Sequence, residues 1–199
     1  MDRRLYRKLS ETLPQTKIVQ KNWDLSQDIS DEIFELLKGA STECPNSHKG
    51  DRYYNVHFIK NRDIIDRVYK SVKPENEEII ANLLVVFEKS KGIFYNSSSV
   101  YGDNYNFIES SMNRSVGIAV GNLVLISHLM GLSTGICQDF KDDEGIKNIM
   151  EVLELQELPL MMVGIGYNNN GIAPNRSHID KNKKHMTYRN KAILVKEWS

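Results

Sequence analysis

The stretch from Gly117 to Gly135, GIAVGNLVLISHLMGLSTG, gives the clearest indication of the fold. Its apolar residues lie on nearly every side of a helix, which predicts a helix over about Phe107–Met130 that is buried on most faces. Gly131 stands where a glycine commonly ends a helix. The following residues, Leu132–Phe140, predict a strand that runs into a loop. The sequence therefore predicts a long buried helix that turns sharply into a strand.

Two glycines of this helix, Gly117 and Gly121, lie four residues apart and therefore on one side of it. Glycine has no side chain, so another stretch of backbone can approach closely on that side. Tight packing within one chain and a helix crossing at a subunit interface both fit this spacing, and the sequence does not separate them.

Outward from this stretch, the remaining elements follow from hydrophobic spacing, capping residues and breakers. Leu158–Tyr167 is apolar on both faces, as expected for a central strand. Asn96–Asn106 lacks any period and predicts a long loop, which in a compact domain tends to be functional. The other predicted helices are 28–39 with Ser30 as N-cap, Asn61 through Tyr69, Pro74 to about Glu88, and Glu144–Leu153; the other predicted strands are Tyr53–Ile59, Gly92–Tyr95 and Ala192–Glu197.

The composition is that of an ordinary globular protein and indicates a single domain over residues 1–199. Lys and Arg total 26, as do Asp and Glu, so no net charge draws the chain toward nucleic acid or an anionic membrane. The longest apolar stretch, Val116–Met130, is shorter than the roughly 20 residues of a membrane span. The N-terminus lacks the apolar core of a signal peptide, so a cytoplasmic protein is expected.

Several kinds of functional site have no signature in this sequence. The cysteines, Cys44 and Cys137, have no metal-ligand spacing and are interpreted as free thiols, with Cys137 in buried packing rather than acting as a nucleophile. The five histidines are scattered, which argues against a metal site. The basic run Lys181–His185 is short and is interpreted as a solvated loop rather than a nucleic-acid site. Walker, Rossmann and Ser-His-Asp patterns are absent.

Two blocks resemble the nitroreductase family. The segment Gly117–Gly135 resembles the family's long helix, which ends in a glycine and leads into the strand beneath the flavin. The apolar strand ending in Gly166-Tyr167, followed by a basic tail, resembles a later block of the same family. The resemblance implies a single α+β domain in which helices flank a central mixed, mainly antiparallel sheet. It also implies a homodimer that binds FMN.

The N-terminal part resembles the family's phosphate-binding element. In Lys17–Trp23, Lys17 and Lys21 stand at its two basic positions, Trp23 at its aromatic and Val19 at its hydroxyl position. The loop Cys44–Gly50 keeps the family's proline. The FMN contacts that the resemblance implies are Lys17, Val19, Lys21 and Arg176 at the phosphate, Asn46, Ser47, His48 and Lys49 at the ribityl chain and pyrimidine edge, and Gln138 and Asp139 near flavin N5.

The resemblance further implies an enzyme that uses NAD(P)H and FMN to reduce flat, electron-poor acceptors such as nitroaromatics and quinones by a ping-pong mechanism. The hydride chemistry belongs to the flavin, so no catalytic side chain is expected. Val19 and the altered Pro45 loop keep an alternative open, an FMN-binding or regulatory protein with little turnover. A third possibility is an unrelated α+β domain without a cofactor.

Overall fold

A four-stranded sheet forms the centre of the computed structural model, which describes residues 3–17, 20–43, 53–90 and 105–169. The strands are β1 (Tyr54–Ile59), β2 (Leu83–Lys89), β3 (Ser133–Cys137) and β4 (Pro159–Gly166). The helices are α1 (Arg3–Thr12), α2 (Asp31–Thr42), α3 (Arg62–Tyr69), α4 (Tyr105–Leu129) and α5 (Asp143–Leu153), with 3₁₀ helices at Gln15–Lys17 and Glu77–Ile79.

The strand order is β1-β2-β4-β3, and each neighbouring pair among these described strands is antiparallel. The prediction of β4 as a central strand is confirmed, because it lies between β2 and β3. Together with the helices, this sheet gives the α+β class that the sequence predicts. The predicted strands Gly92–Tyr95 and Ala192–Glu197 lie outside the described residues.

Helices cover both faces of the sheet. The face that includes Val85, Phe87 and Val163 packs against α2 and α4, while the face that includes Val86 and Met162 packs against α3 and α5. Alternate residues of a strand point to opposite faces, so a strand covered on both sides must be apolar throughout. In β2, Leu83 to Phe87 are indeed 0% exposed.

The capping residues predicted from the sequence are confirmed. The Ser30 side chain accepts from the Ile33 N–H at the start of α2, and the Asn61 side chain accepts from two backbone N–H groups of α3. Gly131 follows α4 with a φ of +81°, a left-handed conformation that favours glycine. The sequence predicts these helix ends because capping depends on short-range backbone geometry.

The helix predicted from Pro74 to about Glu88 is wrong. This stretch forms the 3₁₀ helix Glu77–Ile79 and then β2. Ile79, Leu83 and Val86 have helical spacing, but Leu83 to Phe87 is also a continuous apolar run. Periodicity alone does not separate a buried strand from a helix in such a run. The loop predicted over Asn96–Asn106 also ends earlier, because α4 begins at Tyr105; its other residues up to 104 lie outside the described part.

One side of α4 faces away from the rest of the described chain, while most of its second half is buried or partly buried, as expected. Ile118 is 38% exposed. A Cβ added at Gly117 or Gly121 would meet nothing within 4 Å among the described residues. Packing of these two glycines inside the chain therefore finds no support in this part of the structure.

None of the described helices is both long enough and apolar enough to span a membrane.

Candidate functional site

Two glycines in neighbouring strands create a place where backbone packs directly on the sheet. Gly135 of β3 and Gly164 of β4 are register partners. A Cβ on Gly164 would lie 1.9 Å from the Glu78 carbonyl oxygen, and one on Gly135 would lie 2.4 Å from the Glu78 Cβ. Only glycine allows so close an approach. The pair therefore seats the 3₁₀ helix Glu77–Ile79 on the sheet and fixes the position of Glu78.

The segment after the first 3₁₀ helix crosses the ends of β3 and β4. The Gln20 N–H donates to the Thr134 carbonyl at 2.9 Å, and the Asp24 N–H donates to the Tyr167 carbonyl at 2.8 Å. Between them, the buried Trp23 donates its indole N–H to the Glu77 carbonyl at 3.2 Å. These bonds hold Lys21 against the seated 3₁₀ helix.

Lys21 and Glu78 form an ion pair that is largely shielded from water. Lys21 Nζ lies 3.3 Å from Glu78 Oε2, with the side chains 18% and 7% exposed. The ammonium group also donates to the Glu75 carbonyl. Among the described residues, Glu78 Oε2 has no hydrogen-bond partner. Burial raises the pKa of Glu78, while its own backbone N–H and the charge of Lys21 oppose that rise.

The turn after β3 is held from the opposite side. Asn76 donates its amide to the Asp139 carbonyl at 2.7 Å, and Lys73 Nζ lies 3.0 Å from the Asp139 carboxylate. An isolated bridge between Val72 and Phe140 closes the same turn. Gln138 and Asp139 are exposed. Their backbone is thus fixed, and the turn can present itself to a ligand with little reorganisation.

The Cys137 thiol lies at the end of β3 and is 2% exposed. Burial raises its pKa to about 11; an interaction with the Asp139 backbone lowers it, and the nearby carboxylates of Glu78 and Asp139 raise it further. A thiol with so high a pKa carries almost no thiolate at neutral pH. The predicted burial of Cys137 is confirmed, and its raised pKa argues against a nucleophilic role.

We expect Cys137 to resist alkylation in the folded protein. In a Cys44→Ser variant, which leaves Cys137 as the one cysteine of the chain, maleimide at pH 7.5 should label the native protein very slowly. In denaturant it should label the same chain completely within minutes. Mass spectrometry measures both, and fast stoichiometric labelling of the native protein would contradict the burial of this thiol.

Three of the ten predicted site residues, Lys21, Gln138 and Asp139, fall within this cluster of described residues. Lys17 ends the first 3₁₀ helix, and its side chain lies outside the description. The other predicted contacts lie outside the described residues: Val19, Asn46, Ser47, His48, Lys49 and Arg176.

The sequence prediction missed Asn76 and Glu78. Both stand in the stretch assigned to a helix, where polar residues are expected to face solvent, yet they are 6% and 5% exposed. The run Pro74-Glu75-Asn76-Glu77-Glu78 resembles ordinary turn chemistry, and it carries no signal that its third and fifth residues are buried.

Among the described residues, the groups that would face an FMN are Lys21 and the turn at Gln138 and Asp139. Lys21 carries a positive charge that Glu78 already compensates, and Gln138 and Asp139 are exposed residues at the end of a strand. Within the described residues, no group of three His, Cys, Asp or Glu side chains could hold a metal ion.

Comparison with known proteins gives matches through structure. No family model matches the sequence, and no curated protein matches it either. An FMN-dependent nitroreductase from Clostridium difficile superposes with a TM-score of 0.61 at 18% identity, over 87% of this chain and 96% of that one. Nitroreductase A from Vibrio parahaemolyticus gives a TM-score of 0.65 at 16% identity, over 88% and 76%.

A third solved structure matches over nearly its whole length. It is described as an NADH dehydrogenase/NAD(P)H nitroreductase from Parabacteroides distasonis, and it gives a TM-score of 0.65 at 17% identity, over 96% of this chain and 99% of that one. Coverage of this extent means that the described helices and strands are arranged as in these proteins. The chain has the nitroreductase-type α+β fold.

Proposed function

We propose that this chain is an FMN-dependent oxidoreductase that uses NAD(P)H to reduce flat, electron-poor acceptors such as nitroaromatics and quinones by a ping-pong mechanism. The observation that carries the proposal is the nitroreductase-type fold with Lys21 and the fixed turn at Asp139 brought to one place. Structural neighbours described as nitroreductases give it further support.

In this proposal the chain binds and orients the cofactor. Lys17, Lys21 and Arg176 surround the phosphate with Val19 beside them, while Asn46, Ser47, His48 and Lys49 contact the ribityl chain and pyrimidine edge. The turn at Gln138 and Asp139 would lie nearest flavin N5. When bound, the flavin supplies the hydride chemistry. Asn76 fixes this turn through the Asp139 carbonyl. A backbone donor in a fixed turn would need little reorganisation to stabilise developing charge.

A second candidate function, an FMN-binding protein with little turnover, is favoured by the engagement of Lys21. That ammonium group is already paired with Glu78 and the Glu75 carbonyl. Steady-state oxidation of NADH or NADPH with a quinone or nitroaromatic acceptor separates the two functions. An enzyme consumes nicotinamide in many-fold excess over protein, whereas a binding protein holds FMN and stops within one turnover.

The proposal includes a homodimer formed through the exposed side of α4. Gly117 and Gly121 leave this side flat, and Ile118 exposes apolar surface beside them. Flat helix faces of small residues allow close helix crossing, and burial of apolar surface stabilises the contact. In this arrangement each subunit covers the flavin of the other.

Replacement of Gly121 by leucine tests the dimer. The variant should fold, because nothing among the described residues lies near the new Cβ and leucine favours helix more than glycine does. The bulky side chain should raise the dimer dissociation constant by about 100-fold or more, a few kcal/mol, and weaken FMN binding. Sedimentation velocity measures the first effect and FMN fluorescence the second.

Glu151→Leu is the matched control, since Glu151 is exposed on α5, which packs on the other face of the sheet. It should leave both quantities unchanged. A Gly121→Leu variant that stays dimeric with normal FMN affinity would exclude α4 as the interface.

A further inference from the structure

The Lys21–Glu78 pair holds a buried carboxylate beside a single cationic partner among the described residues. Glu78 is 5% exposed, and its carboxylate faces Lys21 as its cationic partner among the described residues. A buried carboxylate is stable only while a partner compensates it, because desolvation disfavours the charged form. Anything that draws Lys21 away therefore changes the protonation of Glu78.

Glu78 cannot move aside in response to a change of its partner. Its carbonyl oxygen and carbon lie against Gly164, and its Cα and Cβ lie against Gly135. The 3₁₀ helix is held as well by the Trp23 indole, which donates to the Glu77 carbonyl. Because the backbone is fixed, Glu78 stays in its buried place when its partner leaves, and burial favours the protonated form of its carboxyl group.

The other titratable groups near Glu78 either stay neutral or disfavour its charge. From α3, burial and nearby carboxylates raise the pKa of Tyr69 above its ordinary value, and from β3, burial raises the pKa of Cys137 to about 11. Glu77, next in the chain, adds negative charge that disfavours ionisation of Glu78. Lys73 lies at the Asp139 carboxylate in the turn beyond β3.

We propose that Glu78 makes FMN binding proton-coupled: Lys21 turns from Glu78 to the FMN phosphate, and the Glu78 carboxylate takes up one proton from solvent. The inference rests on the proposed FMN site and deepens it by assigning Glu78 as a positioning residue. The proposal also predicts the direction in which FMN affinity changes with pH. Proton uptake on binding means that affinity rises as pH falls and weakens as pH rises.

Isothermal titration of the FMN-free full chain with FMN tests the coupling. Titrations at pH 7.5 in buffers of different ionisation enthalpy count the protons exchanged. We expect a measurable net uptake of at most one proton per FMN. Between pH 7 and 8.5, where an FMN phosphate with a pKa of about 6 is already dianionic, the dissociation constant should rise by up to about tenfold per pH unit.

Two variants and a second ligand identify the group. Glu78→Gln keeps the shape of the side chain and should abolish both the uptake and the pH dependence, with tighter binding at pH 8.5. Glu151→Gln, at an exposed position of α5, should behave as wild type. Riboflavin, which lacks the phosphate, should bind without proton uptake.

The possible failures are distinct. Wild-type binding of FMN without proton uptake, or uptake that persists in Glu78→Gln, would overturn the coupling and leave the FMN site standing. Equal uptake with riboflavin would overturn the assignment to the phosphate. A chain that binds no FMN at any pH would overturn the proposed function itself. The wild-type measurement stands even if Glu78→Gln fails to fold.

Discussion

Replacement of Gly164 by alanine should destabilise the protein by at least about 3 kcal/mol. The new methyl group would lie 1.9 Å from the Glu78 carbonyl oxygen and 3.0 Å from its carbon, both backbone atoms that are held in place. Overpacking against fixed backbone costs about 1–3 kcal/mol and sometimes more. For a chain of this length, thermal unfolding should move down by roughly 6–12 °C, which circular dichroism measures.

Gly117→Ala is the control for Gly164→Ala. A Cβ at Gly117 meets nothing within 4 Å, and alanine favours helix over glycine by about 1 kcal/mol. This variant should be as stable as wild type or slightly more stable in the monomer. If Gly164→Ala unfolds at the wild-type temperature, the 3₁₀ helix does not lie against β4 as described, and the placement of Glu78 is wrong.

The second large effect is expected at Glu88, a buried carboxylate at the end of β2 that is 2% exposed. Its Oε1 accepts from the backbone N–H groups of Gln156 and Glu157 at 2.6 and 2.8 Å. Its Oε2 accepts from Asn55 Nδ2 at 3.1 Å and lies 2.8 Å from His57 Nε2. One side chain thus joins β1 and β2 to the connection between α5 and β4.

Glu88→Ala should cost about 3–5 kcal/mol of unfolding free energy, because it leaves two backbone N–H groups and the Asn55 amide without an acceptor. Chemical denaturation measures the loss. Glu151→Ala, at an exposed position of α5, should change stability by less than about 0.5 kcal/mol. Equal stability of the two variants would contradict the joining role of Glu88.

The same carboxylate should contribute a pH dependence to stability. Burial disfavours its charge, but the hydrogen bonds from His57, Glu157, Asn55 and Gln156 outweigh that effect and lower the pKa of Glu88. A lowered pKa in the folded state means that the stabilisation is present above the unfolded value, about 4.3, and is lost as pH falls through the folded value. Wild type should therefore lose more stability than Glu88→Gln between about pH 5 and pH 3.

The parts of the fold that the sequence predicted depend on local chemistry. The long helix follows from a largely apolar stretch, its end from Gly131, and the starts of α2 and α3 from Ser30 and Asn61. The apolar run of a strand covered on both faces is ambiguous: that of β4 was correctly predicted as a strand, whereas that of β2 was not. Leu83 to Phe87 were therefore predicted as helix, since a continuous apolar run fits either structure.

The candidate site was predictable only in part, because its contacts join distant segments. Lys21 was identified through its place in a motif, but its partner Glu78 is set by Gly135 and Gly164, which become neighbours only when β3 and β4 pair. The same holds for Asn76, whose bond to the Asp139 carbonyl requires the folded turn. Burial of polar residues by tertiary contacts leaves no pattern in the local sequence.

The decisive measurement is an absorbance spectrum of the purified chain after incubation with FMN and removal of the excess. NADH or NADPH is then added without oxygen and the spectrum is recorded again. We expect a yellow protein with about one FMN per chain. Its flavin absorbance should bleach with at least one of the two nicotinamides. A chain that retains no flavin would contradict the FMN site, and one that stays yellow with both nicotinamides would contradict the oxidoreductase.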